Sequence, residues 1–412
     1  MLPRRLSFAP VVDGPYAWVR LGVSLVLGMI GGVGMWSVVV ALPAVQTEFG
    51  VARGSASLPY TLTMVGLATG NVLLGRAVDR VGMAPLILGA AAALGIGYTA
   101  AGLAGSLTQF TLAQGLLIAM FGAAATFGPL MADVSHWFRR RRGLAVAICA
   151  AGNYFAGMIW PPVVEYGIGA IGWRHTHILI GIFCFVSMSG LSLLVRRRPE
   201  TALVAAAPAP VAGSAAGSGF SIGATQALLC VAGFSCCVAM AMPQVHLVAY
   251  CGDLGYGPAR GAQMLSLMFA FGIVSRISSG FIADRIGGLG TLLLGSGLQL
   301  LALLLYLGFD GLFSLYVISA LFGLFQGGIV PSYAIIVREQ FPAREAGARI
   351  GVVLTATMVG MAAGGWMSGA IFDLTGSYQA AFANGAAWNL LNFALASLLL
   401  WRSLGRRGLA AA

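Results

Sequence analysis

Runs of about twenty apolar residues recur from one end of this chain to the other, each long enough to cross a bilayer core roughly 30 Å thick as a helix. Twelve can be marked, near 18–43, 55–77, 84–104, 108–131, 143–166, 175–195, 222–246, 261–282, 289–308, 312–336, 350–372 and 379–401. In lipid every backbone amide needs a partner within the chain, which makes helices the form such runs take. Composition closes the alternatives. Of 412 residues 59% are hydrophobic and 8% charged, with a mean hydropathy of +0.90, where a soluble chain carries about 25% charged residues. So few charges cannot cover a soluble particle, which excludes secreted, nucleic-acid-binding and disordered classes together. An all-α, multi-pass membrane protein is expected, with the lipid bilayer as its partner and no nucleic acid.

The longest break falls between the sixth and seventh spans. Arg196-Arg197-Arg198-Pro199 is followed by an Ala/Pro/Gly/Ser-rich run to Gly219 that reads as a flexible linker. Two six-helix bundles, 1–195 and 221–412, joined by a cytoplasmic linker at 196–220, are the expected domains. The apolar run after Arg4 and Arg5 lacks a cleavage site and is taken as a retained first span. All 23 basic residues are arginine. With both termini cytoplasmic, eighteen arginines fall on the inner side and only Arg53, Arg174 and Arg260 on the outer, the bias that sets membrane topology. Arg20 lies near the inner end of the first span and is expected to snorkel to the interface. Arg276 remains, inside the eighth. Six cysteines without ligand spacing read as core thiols; no metal site, cofactor motif or nucleophile–base constellation is present, so an enzyme is not expected.

An internal repeat ties the halves together. Gly75-Arg76-Ala77-Val78-Asp79-Arg80-Val81-Gly82 recurs 205 residues later as Gly280-Phe281-Ile282-Ala283-Asp284-Arg285-Ile286-Gly287. Both read G-x-x-x-D-R-x-G, after the second and eighth spans. Glycine permits close approach and a turn, Asp79 or Asp284 suits a following helix start, and Arg80 or Arg285 suits a neighbouring acid. Small-xxx-small spacing at Gly28/Gly32, Gly66/Gly70, Gly323/Gly327, Gly360/Gly364 and Gly365/Gly369 predicts tight helix crossings. The doubled loop motif resembles that of the major facilitator superfamily. That resemblance implies twelve helices in two bundles that alternate access to a central site.

Three patterns are similar to a narrower group, the monocarboxylate transporter family. Asp13-Gly14-Pro15-Tyr16-Ala17-Trp18 resembles its acidic–Gly–Gly/Ser–aromatic–small–Trp signature before the first span, departing at Pro15 and mildly at Tyr16. Trp137-Phe138-Arg139-Arg140-Arg141-Arg142-Gly143-Leu144-Ala145 resembles the second signature, and Gly172-Trp173-Arg174 the outer turn before the sixth span. Oxalate–formate exchangers share parts of these patterns, so exchange of organic anions stays open beside proton symport. A non-transporting receptor is the third class.

Arg276 sits eight residues before Asp284, hence about 12 Å along a helix from the membrane's inner edge. A cation at that depth costs about 2.5–3.5 kcal/mol on the lenient scale, and Gly272, Ile273, Ser279 and Gly280 around it supply no carboxylate. A guanidinium fork suits a small carboxylate; capping carbonyls or pairing a distant acid is its other role. The family resemblance implies the former, since Arg276-Ile277-Ser278-Ser279-Gly280 matches its R-x-x-x-G. Two departures bear on proton coupling: Gly272 stands where animal members carry Asp, and Trp36 aligns with their lysine. Asp253 and His246, at the outer end of the seventh span, are the coupling candidates, with Asp253 expected to alternate between a proton and Arg276. Asn153, Tyr154, Gln326 and Tyr333 are polar at membrane depth and serve substrate contact or interhelical bonding. Trp36 is expected in an apolar wall, and Asp13 with Arg76, Asp79, Arg80, Arg142, Asp284 and Arg285 in an inner charge network. The expectation is a monomeric carrier of short monocarboxylates, lactate or pyruvate with a proton, in a bacterial inner membrane.

Overall fold

The computed structural model describes residues 12–138, 140–197 and 220–411, and all of their regular structure is helical. Among these residues ten helical segments are long and apolar enough to cross a membrane. They are α1 (Pro15–Phe49), α2 (Arg53–Val78), α3 (Met83–Gly102), α4 (Leu107–Trp137), α5 (Arg142–Val195), α6 (Ile222–Asp253), α7 (Pro258–Gly308), α8 (Leu312–Gln340), α9 (Glu345–Thr375) and α10 (Tyr378–Leu404).

Sequence and structure differ in number for a local reason. α5 and α7 each bend at one residue, Gly172 (φ 80°, ψ 158°) and Gly287 (φ 76°, ψ 171°), which joins the expected fifth to sixth and eighth to ninth runs. Gly82, the last residue of the first loop motif, adopts nearly the conformation of Gly287, at φ 86° and ψ 170°. A side chain disfavours that region, so the terminal glycine of each G-x-x-x-D-R-x-G makes the corner. The first glycines do otherwise: a Cβ on Gly75 or Gly280 would meet nothing within 4 Å, so neither marks the close approach expected of it.

A second repeat shows only in the backbone. α4 passes through a π-helical stretch, Ala113–Gly122, and a 3-10 turn, Ala123–Thr126, before an α-helix restarts at Gly128 with Pro129 in its first turn. α8 stops at Gln326, turns at Gly327 and Gly328, and restarts at Ile329 with Pro331 close behind. Proline brings no N–H and is tolerated in a first turn, so each restart fits a break. Gly122 and Gly327 are 205 residues apart, the offset of the loop motifs.

Contacts group the chain into two compact units, one of Met1–Ser37, Gly66–Trp160 and Gly167–Ala209, the other of Val38–Val65, Pro161–Tyr166 and Pro210–Ala412. In the first unit α1 crosses α5 where Gly28 faces Gly152 and Gly32 faces Ala156, and α2 crosses α4 with Gly66 on the carbonyl of Gly115 and Gly70 on that of Met120. In the second, Gly360 and Gly364 of α9 face the carbonyls of Phe234 and Val238 on α6, and Gly323 and Gly327 of α8 face those of Met268 and Gly272 on α7. Gly365 lies against Tyr60 and Gly369 against Arg53. Every glycine of the five small-xxx-small pairs thus lies at a crossing.

Candidate functional site

Arg276 sits half-buried on the first arm of α7. Its neighbours define its level. Gly272, Ser275 and Ser279 form the face of α7 that meets α8: a Cβ on Gly327 would fall 2.7 Å from that of Ser275, and one on Gly328 would strike Ser279. Arg276 is one position, about 100°, round from Ser275. Arg276 therefore stands on α7 at the level of the α8 break, where the backbone leaves regular helix. Ser279 donates its hydroxyl to the Arg276 carbonyl at 3.0 Å. The residue 205 earlier is Asn71, and its Oδ1 accepts from the Gly128 amide at 3.0 Å, at the restart of α4. Both halves therefore place a polar side chain beside the break in the fourth helix of each.

Gln326, the last residue before that break, is buried and takes a 2.8 Å hydrogen bond on its Oε1 from Nε2 of Gln244 on α6. Gln244 Oε1 and Gln326 Nε2 are buried with no hydrogen-bond partner. Tyr333 is fully buried and donates to Asn392 Oδ1 at 2.8 Å; Asn392 in turn donates to Ser296 Oγ at 2.8 Å. Tyr333 thus bonds a neighbouring helix, one of the two roles open to it. In the first unit Trp36, 1% exposed, donates to the Asn153 carbonyl at 3.4 Å, so these two candidates meet. Tyr154 lies half-buried beside them in sequence.

At the end assigned by the arginine count to the outside, a different cluster appears. Arg53, at the start of α2, grips Asp253 of α6 with two nitrogens, at 2.9 and 3.2 Å. The same guanidinium donates to the Tyr378 hydroxyl at 2.5 Å and lies over the Phe372 ring at 4.7 Å. The Arg53 and Gly54 amides donate to the two carboxylate oxygens of Asp373 at 2.8 and 2.7 Å. His246, fully buried, faces the Tyr378 hydroxyl through Nδ1 at 3.2 Å and the Gly365 carbonyl through Nε2 at 2.8 Å. Asp253 is therefore the partner of Arg53 and not of Arg276. Eighteen residues of α7 separate its start at Pro258 from Arg276, about 27 Å of straight helix, and Asp253 lies five residues before that start.

The other end carries a buried pair that the sequence did not reveal. Arg20 donates to both oxygens of Asp133, at 2.7 and 2.8 Å, to Tyr16 at 3.1 Å, and to the carbonyls of Val195 and Arg197 at 3.2 and 3.0 Å. Its side chain is 1% exposed, so it does not snorkel. The Asp13 carboxylate accepts from the Arg140 amide at 3.3 Å, and Arg142 donates to Ser135 at 3.1 Å. Arg76, Arg80, Asp284 and Arg285 are exposed on their helices; the side chain of Asp79 and all of Arg139 lie outside the described residues. Sequence reasoning missed the cluster around Arg53, including Asp373 and Tyr378. The available signal was an arginine on the arginine-poor face.

Known proteins agree with this architecture. The sequence profile described as the Major Facilitator Superfamily matches residues 24–312 and 284–411. Monocarboxylate transporter 13 of Rattus norvegicus is 25% identical over 391 residues, spanning 92% of this chain and 87% of its own. Monocarboxylate transporter 11 of Homo sapiens is 26% identical over 390 residues, spanning 90% and 80%. An MFS-type transporter of Gibberella moniliformis is 26% identical over 327 residues, spanning 78% and 74%. Two solved structures share the fold. One, inward-facing and unoccupied, is a bacterial homologue of the human lysosomal transporter Spinster, with a TM-score of 0.71 at 13% identity over 94% of this chain and 97% of that one. The other is the nucleoside transporter NupG, with a TM-score of 0.71 at 14% identity over 93% and 99%. The chain belongs to the Major Facilitator Superfamily and is a membrane transporter, not an enzyme.

Proposed function

We propose that this transporter carries short monocarboxylates of the lactate and pyruvate kind together with a proton, and that Arg276 holds the substrate carboxylate. The observation that carries the reading is the half-buried arginine at membrane depth beside the α8 break at Gly327–Gly328. Discontinuous helices at the midplane are where carriers of this general kind bind their cargo, and a guanidinium fork matches both oxygens of one carboxylate. Similarity to monocarboxylate transporters 13 and 11 supports the substrate class. From the N-terminal half, Trp36, Asn153 and Tyr154 are proposed to contact substrate, and from the C-terminal half Gln326 and Tyr333. Asp253 and His246, joined through Tyr378 and Arg53, are proposed to carry proton coupling.

Counting α5 and α7 as two crossings each, either side of Gly172 and Gly287, gives the proposed twelve spans in bundles 1–195 and 221–412 around the 196–220 linker. Both termini face the cytoplasm of a bacterial cell in this reading, and the carrier is a monomer. The test is uptake of labelled lactate, pyruvate, formate and oxalate into proteoliposomes, with and without an imposed pH gradient. Lactate or pyruvate uptake driven by external acid, and lost in Arg276→Ala at normal folding, is the expected result. Wild-type rates in Arg276→Ala overturn the assignment.

A further inference from the structure

We propose that Arg53 forms a second, outer carboxylate site, at which the arriving substrate takes the place of Asp253 on the guanidinium as Asp253 takes up the co-transported proton. The proposal rests on the carboxylate–proton reading and orientation given above. It starts from how Arg53 is held. Its side chain is 9% exposed and is fixed by groups other than Asp253: the Tyr378 hydroxyl, the Phe372 ring beneath it, and Asp373, which pins the Arg53 and Gly54 amides. If Asp253 withdraws, the fork stays where it is, with its two terminal nitrogens aimed at whatever replaces the carboxylate.

Asp253 is built to withdraw. Its side chain is 38% exposed and stands at the end of α6. The pair borders an open notch of about 290 Å³ lined by Pro43, Gln46, Thr47, Val51, Gly252 and the pair itself. A three-carbon acid needs the room of only a few waters, each about 30 Å³ of liquid. The notch thus brings a small anion to the one arginine of this cluster.

The exchange balances. A proton binds the Asp253 carboxylate, its two bonds to Arg53 break, and two bonds form between the same nitrogens and the substrate carboxylate. One proton accompanies one anion, and the charge at Arg53 stays compensated throughout. The titratable and charged groups facing the pair are His246 and Tyr250 from α6, Asp373 from α9 and Tyr378 from α10; α1 gives the notch uncharged Gln46 and Thr47. Asp373 accepts two backbone amides and does not touch the guanidinium, which leaves Asp253 as the carboxylate in exchange.

The experiment uses the full chain in proteoliposomes with labelled lactate as the probe. Asp253→Asn is expected to lower uptake driven by an inward proton gradient at least tenfold, while lactate–lactate counterflow stays within threefold of wild type. A second measurement keeps Arg53 and Asp253 native. Thr47→Cys, exposed in the notch, is labelled with a membrane-impermeant maleimide, and lactate is expected to slow labelling more strongly as external pH falls. Arg53→Gln is expected to abolish that protection. Proton-driven uptake of wild-type size in Asp253→Asn, or protection that ignores pH or survives Arg53→Gln, overturns the proposal. A wild-type protein that takes up no carboxylate refutes this site and the proposed function together. Wild-type uptake with an unaltered Asp253→Asn refutes this site and the coupling role of Asp253, and leaves the carboxylate reading at Arg276 standing.

Discussion

Replacing Asp133 by Asn isolates the energetics of a buried charge in this fold. Arg20 uses Nε and one terminal nitrogen on the two oxygens of Asp133, at 2.7 and 2.8 Å, and its other terminal nitrogen on Tyr16, Val195 and Arg197. Arg20 and Asp133 side chains are 1% and 9% exposed. Asparagine keeps one acceptor and turns an NH₂ toward donors, leaving the guanidinium charged, buried and short of a partner. Breaking one side of such a pair costs about 3–5 kcal/mol. Replacing both, as Arg20→Met with Asp133→Leu, removes the stranded charge. It leaves the buried Val195 carbonyl without its donor, worth about 1–3 kcal/mol while it stays dry, whereas the carbonyl of exposed Arg197 takes water instead. The double variant is therefore expected to be more stable than Asp133→Asn by about 2 kcal/mol, the difference between the centres of those two ranges. Unfolding by SDS titration in mixed micelles, followed by tryptophan fluorescence, reads both numbers. An Asp133→Asn protein within about 1 kcal/mol of wild type, far below the range expected for a broken buried pair, would refute the reasoning; so would a double variant no more stable than the single.

Other predictions concern transport and packing. Arg276→Lys keeps the charge but loses the planar fork, and is expected to abolish lactate uptake as Arg276→Ala does, with unchanged SDS-unfolding midpoints in both. Gly323→Val places a side chain on the Met268 carbonyl at the α7–α8 crossing and is expected to destabilise by about 1–3 kcal/mol in the same titration, whereas Gly280→Val, with open space around it, stays near wild type. Tyr378→Phe removes a hydroxyl shared by Arg53 and His246; proton-driven uptake is expected to fall several-fold with counterflow kept, and unaltered gradient-driven rates would exclude a coupling role for that hydroxyl.

What the sequence made legible was periodic or local. Apolar length located the runs, because the bilayer sets one length scale for all of them. The Gly28/Gly32 and Gly360/Gly364 spacings named real crossings, because only small residues let backbones meet there. The last glycine of each loop motif was legible as a turn, and Gly82 and Gly287 share one positive-φ conformation. Pairings distant in sequence were not. Arg20 lies 113 residues from Asp133, and Arg53 lies 200 from Asp253 and 320 from Asp373. Nothing in an arginine's flanks says which acid it meets. Asp253 was assigned to Arg276 as a nearby acid in chain order, but the helix that joins them also holds them apart. The π-helical stretch in α4 and the turn in α8 escaped because hydropathy runs straight through both; Pro129 and Pro331 were the available signs.

Two bidentate Arg–Asp pairs with nearly the same bond lengths, 2.7 Å for Arg20–Asp133 and 2.9 Å for Arg53–Asp253 at their shortest, are proposed to have opposite roles. Distance does not separate them; the exposure of the acid does. Asp133 is 9% exposed and Asp253 38%. A charge leaving a buried pair meets no water, so the Arg20 pair behaves as a fixed part of the bundle, holding the carbonyls at the end of α5. A carboxylate already more than a third in water is solvated on leaving, and the notch beside it lets water or an anion reach the Arg53 fork that it leaves, so this half-open pair costs less to break than the buried one. Acid and anion from the surrounding water can compete with the half-open pair, and cannot compete with the Arg20 pair. The two substitutions are therefore expected to part: Asp133→Asn acts on stability, and Asp253→Asn acts on coupling with a smaller loss of stability than Asp133→Asn. An Asp253→Asn protein that unfolds as readily as Asp133→Asn would show that both pairs are structural locks, and would leave the carrier without a proton switch at its outer face.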